Sequence, residues 1–293
     1  MLSELEPWSF QLKPGFRLRG WRTAFTGKPL ICFLHGNGFS GLTYLPMLKL
    51  LIDDFDLLIT DLPGHGDSDV GRRFEPWNGS AKWALDVVHY FSAQLPDSSN
   101  VYGLGHSYGG VITGLMAGKD TQVFDKCMLL DPVIFSSKML KLMKVVDAIG
   151  ILDKTKLAKT ARKRSEHWES RESAYAELHG RGGFKGWRDD ALKSYIDYAL
   201  TDSKSGVSLK CPTRIESKIY SSYPNDLWGY LKNMDVPCKI LTAEKSFPFI
   251  QSSANKLEVH SNYTTEAVKG GHCFMQEDPD HAAKLIKEWF LNS

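Results

Sequence analysis

The stretch "GLGHSYGG", residues 103–110, ends one apolar run and opens another, with Ser107 set between Gly105 and Gly109. A strand that ends and a helix that starts at one serine is the context a nucleophile elbow requires. The turn is too tight for a Cβ two residues to either side of the serine, and the glycines remove it. The same turn lifts the hydroxyl out of the strand end, above a helix N-terminus that stabilises developing negative charge. Glycines beside a serine also occur in ordinary turns, so the reading of Ser107 as a nucleophile rests on what lies before and after it.

Working outward, "PLICFLHG" (29–36), "DLLITDL" (56–62), "NVYGLGHS" (100–107), "DKCMLLDP" (125–132) and "PCKILTAE" (237–244) are short apolar runs bounded by turn residues. Near-continuous apolar character of this length marks strands buried on both faces. Helix candidates lie between them, at 78–95, with Trp83, Val87, Val88 and Phe91 at helical spacing, and at 109–119. The alternation predicts an α/β fold with a mostly parallel, doubly covered sheet. "WSFQLKPGFRLRGWRT" reads as two strands around Pro14-Gly15, an antiparallel edge, and a last helix is expected over about 279–291 behind Asp278-Pro279.

The rhythm breaks over 134–225. "FSSKMLKLMKVVDAIGIL" puts Met139, Leu142, Met143, Val146 and Ile149 on one helical face, with Lys138, Lys141 and Lys144 elsewhere on it. From 138 to 164 there are nine Lys/Arg against two Asp. A further helical stretch with one Gly-rich break follows. The division expected is a core of 1–133 and 226–293, with 134–225 inserted between two core strands as a helical cap.

At 293 residues, 42% hydrophobic and 24% charged, the chain has the composition of a soluble globular protein with a sizeable core. A formal charge of +2 does not call for nucleic acid or an acidic partner. The basic run 154–164 lacks a recognisable nucleic-acid-binding module. The N-terminus shows no cationic and apolar signal regions, and no run approaches a membrane span. Five cysteines form no C-x-x-C pair, and Cys32, Cys127 and Cys238 sit in strand-like runs where a reduced, buried thiol is expected. A cytoplasmic location is the expectation.

A nucleophilic serine needs fixed donors for the oxyanion. The backbone N–H of Tyr108 is one. The second is expected in "LHGNGFSG" (34–41), from the amide of Asn37, with that of Gly38 as the alternative. A general base is expected late in the chain, and "KGGHCFMQEDP" presents His272. His35 and His65 lie in Gly-flanked loops as structural hydrogen-bonders. His106 lies on a strand, so its side chain points away from that of Ser107. No H-E-x-x-H and no Cys/His cluster suggests a metal. Asp61 and Asp67 read as braces of their loop.

"HGNG", "DLPGHGDS" (61–68), "GHSYGG" and "GGHCF", in this order and spacing, resemble the α/β-hydrolase fold superfamily. "WESRESAYAELHGRGGFKGW" with "GVSLKCPTRIESKIY" is similar, more loosely, to the cap of its esterase- and lipase-like branch. The resemblance implies an eight-stranded sheet, a helical cap after the sixth strand, and a catalytic Ser, acid and His in that order. Many members carry an aspartate after the seventh strand, where "LTAEKSF" (241–247) places Ser246. A serine cannot supply the charge that orients a catalytic histidine. Asp131, at the end of the sixth strand, is the expected acid, and Glu244 the alternative.

These readings together lead to a serine hydrolase that cleaves a small to medium apolar carboxylic ester through an acyl-enzyme, with no cofactor and no metal. The same residues could serve a C–C bond, a lactone or a thioester, and a non-catalytic binding protein of this fold is the rival from another class. The basic helix 138–149 admits contact with an anionic membrane surface, against the plainer reading of a packed helix with solvated lysines. Nothing in the sequence fixes the oligomeric state.

Overall fold

Runs that are apolar at every position have no side to turn to water, and they fold into the middle of one large sheet. A computed structural model describes residues 2–292 apart from 14, 72, 73 and 97. Before the insertion the strands are β1 (Glu6–Gln11), β2 (Arg17–Arg22), β3 (Leu30–Leu34), β4 (Asp56–Asp61), β5 (Val101–His106) and β6 (Lys126–Leu130). Within it lie β7 (His167–Trp168), β8 (Leu200–Ser203) and β9 (Gly206–Leu209), and after it β10 (Cys238–Lys245) and β11 (Tyr263–Gly271). The large sheet has eight strands in the order β1-β2-β4-β3-β5-β6-β10-β11. β2 pairs antiparallel with β1 and β4, and the strands from β4 to β11 pair parallel. Pro14, placed in the β1–β2 turn by the sequence, lies outside the described residues.

Alternation along the strands builds two cores. Ile31, Phe33, Leu57, Ile59, Met128 and Leu130 face one side, where Ala282, Ile286 and Phe290 of the last helix, Pro279–Leu291, cover them. Leu30, Cys32, Leu34, Leu58, Cys127 and Leu129 face the other, under the helices Asn78–Ser92 and Tyr108–Lys119. All five cysteines are reduced and buried.

The inserted segment differs from a purely helical expectation. Besides helices at Ser137–Ala148, Lys156–Lys163, Arg171–Leu178, Asp189–Tyr198 and Thr213–Tyr220, it contains a three-stranded antiparallel sheet, β7-β9-β8. Trp187, Leu192, Tyr195, Val207 and Leu209 of this segment join the first core. In helix Ser137–Ala148, Leu140 is buried and Met139, Met143 and Val146 are half-buried, whereas Leu142 and Ile149, expected on the same face, are exposed. The carboxyl ends of β3, β5 and β6 and the end of β11 lead to one place, the usual position of a ligand site in an open α/β sheet.

Candidate active site

Ser107 joins β5 to the helix Tyr108–Lys119 with φ 54° and ψ −112°, a conformation that costs an L-residue about 1–3 kcal/mol. Its neighbours hold it there. Ser107 N donates to Leu130 O of β6 (2.9 Å), and Ser107 O accepts from Val111 N (3.2 Å). A Cβ on Gly105 would stand 2.4 Å from Gly109 O, and one on Gly109 would stand 2.3 Å from Leu34 O. The flanking glycines therefore let the helix N-terminus close on the ends of β3 and β5.

His272 follows β11 directly and faces Ser107. Its Nε2 is 2.8 Å from Ser107 Oγ, and its Nδ1 is 2.5 Å from Asp131 Oδ2. Asp131, fully buried just past β6, has a left-handed backbone (φ 43°). Its Oδ1 accepts from Ala243 N of β10 (2.9 Å), and its Oδ2 also accepts from Ser246 Oγ. The hydroxyl at position 246 thus meets the same carboxylate oxygen as His272. Glu244 is not brought to His272: it is exposed at the end of β10, one residue beyond the inward-facing Ala243, where strand alternation turns it outward.

Asn37, in the loop after β3, lines a cavity with Ser107 and His272. Its side-chain Nδ2 donates to Glu216 O (3.1 Å), and its Oδ1 meets His65 Nε2 (3.2 Å). Gly38 is buried at φ +81°, where an added Cβ would approach the Glu216 carboxylate to 3.1 Å. Tyr108 opens its helix, so its amide has no intrahelical acceptor. Its buried phenol donates to Ser80 Oγ (2.9 Å), and burial pushes that group up to about 12.

Three further groups brace the site and carry no local sequence signal. Tyr44 OH accepts from Gly36 N (3.0 Å) and donates to His106 Nδ1 (2.6 Å). His106 Nε2 donates to the carbonyl of His272 (2.9 Å). Burial holds the His106 imidazole well below its usual range, with His272 acting the same way. In the inserted segment Arg164 donates to Glu216 (2.8 Å) and to Tyr195 OH (2.6 Å). His35 and Asp61 stay outside the reactive line. His35 donates from Nδ1 to Gly36 O and accepts Leu62 N at Nε2. Asp61 accepts the amides of Gly41 and Asp67.

The cavity measures about 580 Å³. Trp168, Leu178 and Phe184 give it apolar walls, while Lys163, Arg164 and Arg181 add positive charge. Among the described residues no three His, Cys, Asp or Glu side chains converge as a metal site.

A mostly parallel eight-stranded sheet, an inserted segment over its carboxyl edge and a serine on a strained strand-to-helix turn define an α/β-hydrolase scaffold. The model of the Alpha/beta hydrolase family matches residues 33–283, and the chain belongs to that family. It is 27% identical over 105 residues to the uncharacterized hydrolase YugF of Bacillus subtilis, a match covering 36% of this chain and 37% of YugF. The chain thus matches little more than a third of that relative's length. Among solved structures, E-2-(acetamidomethylene)succinate hydrolase superposes with a TM-score of 0.77 at 18% identity, covering 98% of this chain and 100% of that one. The peroxisomal α/β-hydrolase Lpx1 of Saccharomyces cerevisiae also gives 0.77 at 18% identity, over 98% of this chain and 87% of its own. Fold and family support a hydrolytic enzyme.

Proposed function

We propose that the protein is a serine hydrolase that cleaves a carboxylic ester through an acyl-enzyme, with Ser107 as nucleophile, His272 as general base and Asp131 as the acid. The observation that carries this reading is the unbroken line from Ser107 Oγ to His272 Nε2 (2.8 Å) and from His272 Nδ1 to Asp131 Oδ2 (2.5 Å). His272 takes the Ser107 proton as the oxygen attacks the ester carbonyl, and Asp131 stabilises the resulting imidazolium. The amides of Tyr108 and Asn37 hold the oxyanion. His272 then passes the proton to the departing alcohol, and a water activated by the same imidazole releases the acid.

In this enzyme residues 1–133 and 226–293 form the catalytic core and 134–225 the cap. The mixed lining of the cavity favours a small to medium acyl group over a long uninterrupted alkyl chain. The test is hydrolysis of p-nitrophenyl esters of graded acyl length by wild type, Ser107→Ala and His272→Ala. Turnover on short and medium esters that both variants abolish is the expected result. Wild-type rates no higher than those of Ser107→Ala on every chain length would overturn it.

A further inference from the structure

We propose that the helix Ser137–Ala148 and the segment that follows it form a docking surface for anionic lipid, by which the protein rests on a membrane face. Among the described residues ten large hydrophobic side chains are exposed, and five of them (Leu142, Val145, Ile149, Ile151 and Leu157) fall within one short stretch. Leu142, Val145 and Ile149 are 63%, 62% and 65% exposed, although apolar groups of this size normally turn inward. At 100° per residue these three form one stripe around Lys138, alongside the packed side made by Met139, Leu140, Met143 and Val146, with Val146 about 40° from Leu142. The helix covers one part of a broad apolar face and leaves this edge of it in the open.

Charge selects the occupant. Lys138, Lys141, Lys144, Lys154, Lys156 and Lys159 are all exposed. The two carboxylates of the region are engaged, Asp147 by Tyr223 OH (3.3 Å) and Asp153 by Arg162 (3.6 Å). A second copy of this chain would set one dense positive field against another at a two-fold contact. An anionic bilayer surface instead accepts the apolar stripe at the acyl boundary while the lysines reach phosphate. No helix among the described residues is long and apolar enough to cross a membrane, so the contact is peripheral. The helix carrying Leu157 also supplies Thr160 and Lys163 to the wall of the cavity, so docking sets that wall close to the lipid.

The surface is separate from the residues at Ser107, so binding and turnover fail independently. The experiment is co-sedimentation of the full chain with vesicles of phosphatidylcholine alone and of equal parts phosphatidylcholine and phosphatidylglycerol. The protein sediments with the anionic vesicles only, and added salt weakens the binding. Joint reversal of Lys138, Lys141 and Lys144 to Glu lowers partition by roughly 100-fold or more. Joint replacement of Leu142, Val145 and Ile149 by Ser weakens it without changing charge. Both variants keep wild-type melting and hydrolyse a soluble ester at the wild-type rate. Absence of sedimentation with anionic vesicles overturns the proposal, as does binding that neither variant reduces. A dimer in size-exclusion chromatography that the Ser variant dissolves would assign the face to a second copy and overturn it too.

Discussion

Asp131 occupies a left-handed backbone position that aspartate tolerates better than most residues, because its short polar side chain can bond locally. Its two oxygens take donors from three places: the β10 amide of Ala243, the hydroxyl of Ser246 and Nδ1 of His272. An asparagine there would turn an amide toward groups that donate and would release His272 to the wrong tautomer. Asp131→Asn therefore lowers kcat/KM for a p-nitrophenyl ester by about 10⁴, while Glu244→Gln stays within about twofold. Steady-state rates of the two purified variants check this, and the reverse pattern would contradict it. The place of Asp131 at a strand end is legible in "LLDP", while its role as the acid is what the family resemblance implies. The contribution of Ser246 is not legible, since it reaches Asp131 across 115 residues of sequence through the pairing of β10 with β6.

At the scale of elements, the site is a set of loop ends tied together by side chains from elsewhere. Gly36 N–H donates to Tyr44 OH, Tyr44 OH donates to His106, and His106 donates to the carbonyl of His272. One buried chain thus fixes both the loop offering Asn37 and the turn offering His272. Tyr44→Phe leaves a buried N–H and an imidazole nitrogen without partners and destabilises the fold by about 1–3 kcal/mol. Because Tyr44 acts only through His106 and Gly36, kcat falls severalfold while KM changes little. Urea unfolding and ester kinetics measure the two effects, and wild-type values in both would refute the tie. Strands buried on both faces announce themselves as apolar runs, as β3 to β6 and β10 do. β11 is an edge strand with mostly polar, partly exposed residues, and β7–β9 are two to four residues long. Such elements exist through pairing, and their sequence carries little periodic signal.

Across the whole molecule, three histidines lie buried near the carboxyl edge of the sheet. Burial holds His35 and His106 well below their usual range and brings His65 to about 4. A histidine whose folded pKa lies below its unfolded value of about 6.5 adds stability that is full above that pH and lost as pH falls. Asp61 and Glu216 act in the opposite sense: burial raises Asp61 to about 6 and pushes Glu216 above the usual carboxylate range, so their contribution weakens as pH rises. Three imidazoles outweigh two carboxylates, and the melting temperature is expected to fall as pH drops from 6.5 to 5. Thermal denaturation followed by circular dichroism across that window tests the sign, and a flat or rising profile would contradict it.

The proposed chemistry requires Ser107 to be an activated nucleophile, and a fluorophosphonate probe reads that directly. Intact mass followed by peptide mapping should show one adduct per chain on Ser107, formed rapidly in wild type and at least 100-fold more slowly in His272→Ala. A chain that takes up no probe, or labels equally fast without His272, would rule out an activated Ser107 and leave the fold as a binding scaffold.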